Sequence, residues 1–444
     1  MNKNTSRIPL PIWIVGALLL YGLSLYFFVE QTQHQPQCCD AIHYMGMAHA
    51  YATNGFFQVT EPSRTFGYPW ILSLIIKFSN SLLSESAVIW FFQSTFYFFT
   101  VYVIARQIAK SNTKLASYVY LALCTNIFIL PYFTVTLTDG LYATLALALL
   151  AALIPGYSLA TSTQIKLFWQ LFLVIFVTSF SIITRPAAIW LLLPVGYFIV
   201  SAFIERKKPL LFLGAFLLGV TPLIIQSISN ALNYQVISFL PVTSLGKAQI
   251  IWGIENIKYG TWTGGTAGNE LIQNFYPSSP IIDTSRTSGI IQWYLSHPIS
   301  ILKLIILKFI GAFDWDYLLP YPKFIPNAFF KIAPSIISFS ILWWGLVGTA
   351  IHTFSHRLPA LGMRFIPLIS LISWSGVTLL SALELRFTLP LLSYFIVISV
   401  VTIYHLVGIE NQKPLKYCVI GQILFLIIAL LLSNIIRGQA TIQW

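Results

Sequence analysis

Runs of apolar residues recur along the whole chain and constrain its fold more than any other feature. About eleven segments of roughly 17–25 residues carry almost no charge, which is the length that a helix needs to cross a bilayer. Only 9% of the 444 residues are charged, against about a quarter in soluble domains. A barrel would instead show alternating segments of about 10 residues. The sequence therefore predicts an all-α polytopic membrane protein.

Short clusters of lysine and arginine separate these runs and set the predicted topology. Such clusters are typical of cytoplasmic loops. They place the N-terminus in the cytoplasm and make residues 1–444 a single integral membrane domain. The predicted spans are residues 10–29, 87–108, 115–133, 139–157, 167–184, 186–204, 210–228, 333–353, 364–382, 387–407 and 417–436.

Two long segments, 30–86 and 229–332, are predicted to lie on the external side. Each contains an apolar stretch, 67–83 or 298–313, that is short for a span and carries lysine. Counting either stretch as a span would turn the following basic clusters outward, against the positive-inside rule. Both are therefore predicted to be helices that lie on or dip into the external face of the membrane.

The net charge of +12 does not indicate binding to nucleic acid. The basic residues fall between apolar runs, and no basic helix or module of interleaved aromatic and basic residues accompanies them. The predicted partners are membrane lipids rather than nucleic acid. The four cysteines, Cys38, Cys39, Cys124 and Cys418, lack the spacing of a metal site.

Several charged residues nevertheless lie near the predicted external membrane face, where ionisable side chains are costly and thus candidates for function. They are Asp40, Glu61, Arg64, Asp139, Arg185, Glu384 and Arg386. An arginine can bind phosphate through two parallel hydrogen bonds, and a carboxylate can accept a proton from a hydroxyl nucleophile. Together they favour a reaction on a lipid-borne anion. The stretch FDWDYLLPYPKF, by contrast, is predicted to be an interfacial turn in an aromatic belt.

The order of these residues carries a family resemblance. The first external segment reads D-x-x-x-Y-x-x-x-A, then G, then R-x-x-G-Y-P. Later in the chain follow Thr138-Asp139, Arg185-Pro186 and the stretch LRFTLPLL. The residues of the first pattern are Asp40, Tyr44, Ala48, Gly55, Arg64, Gly67, Tyr68 and Pro69. In this order the chain resembles the GT-C superfamily of polyprenyl-phosphate-sugar-dependent glycosyltransferases, in particular bacterial relatives of protein O-mannosyltransferases and aminoarabinose transferase. It departs from many relatives at Ala41, where they carry a second acid, and at Phe66, where a proline is common.

The resemblance implies a GT-C-type helical bundle in a bacterial inner membrane, with the reaction on its external side. It implies an inverting transfer of a sugar from a polyprenyl-phosphate donor to a lipid, glycan or protein acceptor. In that reaction Asp40 is the general base, and Asp139 is a second carboxylate that orients the acceptor or an arginine. The remaining predicted substrate-binding residues are Arg64, Arg185 and Arg386 for phosphate, with Tyr44 and Tyr68. No cofactor is implied, and a single acid in the first loop argues against a tight divalent metal site without excluding a metal.

Simpler interpretations stay open at this point. Asp40 and Asp139 are also good helix N-caps, and Arg185 and Arg386 could be interfacial anchors that reach toward lipid headgroups. The alternative function is a transporter or flippase of an anionic lipid-linked substrate, and a third is a scaffold without catalysis. A carrier needs polar groups near the middle of the membrane, often on broken helices, whereas the predicted span centres are nearly free of charge.

Overall fold

The computed structural model describes residues 8–34, 40–55, 57, 64–78, 84–153, 163–240, 243–255, 257–258, 261–263, 270–272, 292, 295–315, 317–321, 328–355 and 363–438. In the described part of the chain, regular structure is helical apart from one antiparallel pair of strands, β1 (Thr261–Thr263) and β2 (Glu270–Ile272). The helices are α1 (Leu10–His34), α2 (Asp40–Asn54), α3 (Gly67–Phe78), α4 (Glu85–Ala109), α5 (Thr113–Cys124), α6 (Thr138–Leu153), α7 (Gln164–Thr184), α8 (Leu192–Arg206), α9 (Pro209–Gly219), α10 (Thr221–Tyr234), α11 (Thr243–Glu255), α12 (Pro298–Phe313), α13 (Ala328–Ser355), α14 (Ile366–Thr378), α15 (Leu389–Val407) and α16 (Lys413–Gly438). Short 3-10 helices cover Leu130–Phe133, Pro186–Leu191 and Leu385–Thr388.

Seven of the described helical segments are long and apolar enough to cross a membrane, and the protein is an integral membrane protein. They are Leu10–Thr32, Glu85–Ala109, Gln164–Thr184, Pro186–Arg206, Ile332–Ser355, Leu385–Val407 and Lys413–Ile436. Each coincides with a predicted span. The pair α9 and α10, bent by 47°, makes an eighth candidate if it is counted as one span.

The span predicted over 210–228 corresponds to α9 and α10, and the chain bends between them. Pro222 has no N–H to donate to the carbonyl of Leu218, four residues earlier. The hydroxyl of Thr221 donates to that carbonyl instead, at 2.7 Å. The helix therefore divides at Val220, which lies between the two helices.

Three predicted spans contain a short or interrupted helix among the described residues, which leave out 154–157. Residues 139–157 and 364–382 correspond to the short apolar helices α6 and α14. The continuous helix predicted over 115–133 is wrong: α5 ends at Cys124, and the side chain of Asn126 accepts a hydrogen bond from the N–H of Phe128 at 3.2 Å. Asparagine favours such local bonds over helix. The total of eleven spans stays a prediction.

The two long connecting segments contain helices of their own. The segment predicted over 30–86 is shorter in the structure, because α1 continues to His34 and α4 begins at Glu85. Within it α3 has 12 residues, or about 18 Å of helix, which is too short for a hydrocarbon core of about 30 Å. The predicted segment 229–332 begins inside α10, contains α11 and α12, and ends inside α13. The 16 residues of α12 amount to about 24 Å.

Helices α6 and α15 form the centre of the bundle and pack on each other. In α6, 14 of 16 residues are buried, and in α15, 14 of 19, as expected for helices that are apolar all round. The outer helices α1 and α16 instead expose rows of apolar side chains. The first turns of α6 and α15 consequently end up at the middle of one end of the protein.

Gly67, the glycine of the Gly-Tyr-Pro motif, allows α3 to touch the end of α7. A Cβ atom at this position would lie 2.7 Å from the carbonyl oxygen of Ile183 and 2.8 Å from its carbon. These are backbone atoms, which cannot rotate away. The motif therefore needs glycine because α3 begins directly against the turn that leads into Arg185.

Replacing Gly67 with alanine is expected to lower the free energy of unfolding by about 1–3 kcal/mol, the usual cost of overpacking. Gly46→Ala in α2 is the matched control, because nothing lies within 4 Å of its Cβ position. Alanine in that helix should stabilise by up to about 1 kcal/mol. Thermal unfolding of the detergent-solubilised proteins measures both. Equal melting temperatures for the two variants would contradict the close contact.

Candidate functional site

The ends of five segments meet at one end of the bundle and bring together six charged side chains. Asp40 opens α2, Arg64 precedes α3, Asp139 lies in the first turn of α6, Arg185 directly follows α7, and Glu384 and Arg386 lie at the turn into α15. Both aspartates lie at helix N-termini, where the helix dipole stabilises negative charge. The structure therefore brings together six of the seven charged candidates from the sequence, and the seventh, Glu61, lies outside the described residues.

Arg386 is the central cation of this cluster. Its Nη2 donates to Oδ2 of Asp40 at 3.2 Å, and its Nη1 lies 3.7 Å from Oδ2 of Asp139. Its Nε lies 2.6 Å from Oε2 of Glu384. The Arg386 side chain is only 9% exposed, so it is held inside the protein. The interpretation of Arg386 as an anchor reaching toward headgroups is therefore wrong.

Arg185 is likewise held inside the cluster. Its Nη1 donates to Oδ1 of Asp139 and, at 3.1 Å, to the hydroxyl of Thr138. The guanidinium lies 4.2 Å from the centre of the Phe387 ring, a cation–π distance. The fully buried Asp139 thus contacts two arginines, and its role in orienting the acceptor or an arginine stays a prediction. The anchor interpretation fails for Arg185 also.

Asp40 and Arg64 form the most accessible pair of the cluster. Arg64 Nη2 lies 2.5 Å from Asp40 Oδ1, and the two side chains are 25% and 31% exposed. The Arg64 guanidinium also lies 5.3 Å from the Tyr44 ring centre. In the cluster as a whole, three carboxylates face three arginines and the formal charges cancel. An incoming anion must therefore compete with a carboxylate for its arginine.

The arginines also decide the protonation of Asp40. Burial by itself raises the pKa of the Asp40 carboxyl. The positive charges of Arg386 and Arg64, with a smaller contribution from Arg185, outweigh burial and hold the pKa below its ordinary value of 3.8. The stabilisation that the carboxylate gives is therefore present at neutral pH and is lost as the pH falls through this lowered pKa.

The two tyrosines of the motif stack beside the pair. The rings of Tyr44 and Tyr68 meet edge to face, with centres 5.4 Å apart. Burial raises the pKa of the Tyr44 hydroxyl, so it stays protonated and can donate to an anion. Tyr68 is 1% exposed, so its ring is covered by its neighbours, and its role in substrate binding stays a prediction. The N–H of Phe66 donates to Gln226 on α10 at 2.8 Å and holds this segment in place.

Tyr321 is a site residue that the sequence did not reveal. Its hydroxyl accepts a hydrogen bond from Arg386 Nη1 at 3.2 Å. The segment leading to it is anchored by the buried Asp314, which accepts from Ser335 at 2.7 Å and from Ser433 at 2.9 Å. The prediction of an interfacial turn here overlooked this buried anchoring. The two aspartates on either side of Trp315 were the feature of the sequence that could have indicated it. Of these, Asp316 lies outside the described residues.

Three other residues singled out in the sequence, Cys38, Cys39 and Glu61, also lie outside the part of the chain that the structure describes. Cys124 and Cys418 are free thiols. Among the described residues, no group of three or more His, Cys, Asp or Glu side chains is arranged to hold a metal ion. The acids at this end of the bundle have arginine partners instead.

An apolar groove of about 450 Å³ lies between α3 and α4. Its walls are Ile75, Val88, Phe91, Phe92, Thr95, Phe96 and Phe99. The helix α3, which forms one wall of the groove, begins three residues after Arg64, at Gly67. Such a surface suits a hydrocarbon chain, because burying apolar surface against apolar side chains is favourable.

Comparison with known proteins gives no assignment for this chain. No protein-family model matches the sequence, and no curated protein matches it. The function proposed below therefore rests on the geometry of the charged cluster and on the sequence motifs.

Proposed function

We propose that this protein is an inverting glycosyltransferase of GT-C type. It moves a sugar from a polyprenyl-phosphate donor to a hydroxyl or amine of a lipid, glycan or protein acceptor. The reaction takes place at the external face of a bacterial inner membrane, with the N-terminus in the cytoplasm. The observation that carries the proposal is the accessible Asp40 carboxylate held between Arg64 and Arg386 at one end of a membrane bundle. The order of the motifs supports the donor class.

In this reaction the acceptor oxygen or nitrogen attacks the anomeric carbon of the sugar. Asp40 takes the proton of the nucleophile, and the bond to the phosphate oxygen breaks with its electron pair leaving on polyprenyl phosphate. A positioned carboxylate accelerates such a step by about 10²–10⁴-fold. Asp40 is suited to the role because its lowered pKa keeps it ionised at neutral pH.

The arginines differ in how readily they can receive the donor phosphate. Arg386 and Arg185 face the buried Asp139, while Arg64 faces the partly exposed Asp40. Leaving a buried carboxylate without its arginine is costly. A phosphate that binds Arg64 in place of Asp40 avoids this cost, because Asp40 is partly exposed. It also removes one positive charge from beside the base, which makes Asp40 more basic. Tyr44 lies beside Arg64 and donates its hydroxyl to the same phosphate.

This exchange predicts two different acid limits for the reaction. The acid limb of kcat/KM reports the free enzyme and that of kcat reports the substrate complex. The limb of kcat should lie at higher pH, because Asp40 has lost Arg64 in the complex. In Arg64→Gln the pKa of free Asp40 rises, so the two limbs should approach each other. Rate profiles between about pH 3 and 7, a range around and above the ordinary pKa of aspartate, measure both limbs. Coincident limbs in the wild type would contradict the exchange.

The reaction class is tested with the purified protein in liposomes. The donor is a polyprenyl-phosphate sugar of known anomeric configuration, offered with lipid and peptide acceptors, and the product configuration is read by NMR. We expect inversion and release of polyprenyl phosphate in equal amount to the product. Retention of configuration, or transfer that does not depend on the lipid phosphate, would contradict the proposal.

A transporter or flippase is the second candidate, and the broken pair α9 and α10 favours it. Discontinuous helices often carry the substrate site of a transporter. Here, however, the polar residue Gln226 of α10 binds the backbone of Phe66 and its amide donates to Asn230. Translocation of a fluorescent polyprenyl phosphate across liposomes separates the two functions. A flippase should move the lipid without cleaving the sugar bond and should tolerate Asp40→Asn.

A further inference from the structure

A buried lysine in the second long segment has no part in the reaction above. Lys308 lies on α12 with no exposed surface. Its Nζ donates to the carbonyl oxygen of Gly253 at 2.5 Å and to that of Ser381 at 2.7 Å. Gly253 belongs to α11, and Ser381 lies three residues before Glu384. One side chain therefore joins α11 and α12 to the segment that carries Arg386.

The backbones that Lys308 joins are already in direct contact. A Cβ atom on Gly253 would lie 2.4 Å from the carbonyl carbon of Ser381. One turn earlier on α11, the carbonyl of Gln249 accepts from the N–H of Ala382 at 2.7 Å. The junction thus has a hydrogen bond on either side of a close approach that only glycine permits. A small shift of this junction would move the segment 381–386 as a whole.

The chemistry of the junction suits a tether better than an acid or a base. The described partners of Lys308 Nζ are two backbone carbonyls, and a neutral amine keeps the two N–H donors that they need. Burial lowers the pKa of Lys308 to about 7. Both protonation states can therefore hold the two carbonyls. If the lysine were lost, these carbonyls would lack their donor in a buried place.

We propose that Lys308 is a positioning residue for Arg386. By tying Ser381 to Gly253, it holds the turn into α15 so that Arg386 reaches Asp40 and Asp139. The catalytic part of this inference rests on the proposed glycosyltransferase reaction, while the geometric part does not. Helix α11 and helix α12 then belong to the frame of the site, although neither contributes a side chain to its charged cluster.

The test compares Lys308→Met with Lys303→Met in purified protein. Methionine has similar length and no donor, and Lys303 is an exposed residue of the same helix. A misplaced catalytic group costs up to about 10²-fold in rate, so Lys308→Met should lower kcat by about 10–100-fold with a smaller change in KM. Lys303→Met should leave both constants unchanged. Thermal unfolding and size-exclusion profiles establish that each variant is folded. Wild-type kcat in folded Lys308→Met would overturn the proposal.

A second measurement separates positioning from a general structural role. Lys308→Met should have little further effect in an Arg386→Gln background, since the residue that it positions is absent. An equal loss of kcat in both backgrounds would overturn the proposal. If Lys308→Met does not fold, Lys308→Gln takes its place, because its amide keeps two N–H donors on a shorter chain. Lys308→Gln should retain intermediate activity. If it lowers kcat as much in the Arg386→Gln background as in the wild type, the positioning role is contradicted.

A third measurement does not depend on the reaction. Displacing Arg386 removes the strongest positive influence on Asp40, so the carboxyl band of Asp40 should titrate at higher pH in Lys308→Met. Infrared difference spectra record this titration, and the band is assigned by its absence in Asp40→Asn. An unchanged titration would overturn the geometric part even in an active enzyme. A shifted titration in a protein that transfers no sugar would instead refute only the proposed function.

Discussion

Replacing Asp40 with asparagine is expected to lower the kcat of sugar transfer by about 10²–10⁴-fold, the range that a positioned general base contributes. Asparagine keeps the shape and one oxygen that can accept from Arg64 or Arg386, but it cannot take a proton from the acceptor. KM for the donor should change much less, since the arginines remain. The result would identify Asp40 as a group that acts in the transition state rather than in binding.

The experiment uses membranes or liposomes with a polyprenyl-phosphate sugar and measures initial rates over a range of acceptor concentrations. Glu85→Gln is the matched control, because Glu85 is an acid at a helix start that pairs with His49 at 3.3 Å outside the charged cluster. It should retain the wild-type rate. Transfer by Asp40→Asn at an undiminished rate would remove Asp40 as the base and leave helix capping as its role.

Replacing Arg386 with glutamine is expected to reduce both catalysis and stability. Loss of a preorganised electrostatic contact to the transition state costs about 10²–10³-fold in kcat. The substitution also leaves Asp139, which is 1% exposed, and Glu384 with one cation fewer. Breaking a buried ion pair by removing one partner costs about 3–5 kcal/mol. A lower melting temperature should therefore accompany the loss of activity.

Two comparisons make this prediction specific. Arg106→Gln removes an exposed arginine from the last turn of α4, and such a surface change should alter stability by less than about 0.5 kcal/mol. Adding Glu384→Gln to Arg386→Gln should restore part of the lost melting temperature, because it removes a carboxylate whose arginine contact is Arg386. Recovery of stability without recovery of kcat is the expected result. A double variant no more stable than Arg386→Gln would contradict the pairing.

The positions of the charged residues along the chain were informative because they lie at the ends of apolar runs. Asp139 and Arg185 each adjoin a run, and a helix end must lie near a membrane face. Their convergence at one end of the bundle followed from counting spans. Their roles as mutual partners did not, since Arg185 meets Asp139 across 46 residues through the packing of α6 against α7.

Other parts of the site had no local signal. Tyr321 and Lys308 lie in stretches whose composition indicates an interfacial turn and an interfacial helix. Such composition does not distinguish a site residue from its neighbours. Tyr321 reaches Arg386 across 65 residues and Lys308 reaches Ser381 across 73. The bend between α9 and α10 had a visible cause in Pro222, but a helix can also continue past a proline with a kink.

The length and low charge of the apolar runs are enough to show that this chain forms helices in a bilayer. The sequence also determined which residue types are available at the helix ends, including the Asp40 to Gly-Tyr-Pro motif. Which acid pairs with which arginine, and that Asp40 and Arg64 are the most accessible pair, became known from the packing of the helices. The physical reason is that apolar periodicity specifies a helix locally, whereas ion pairs depend on how distant helices and loops pack together.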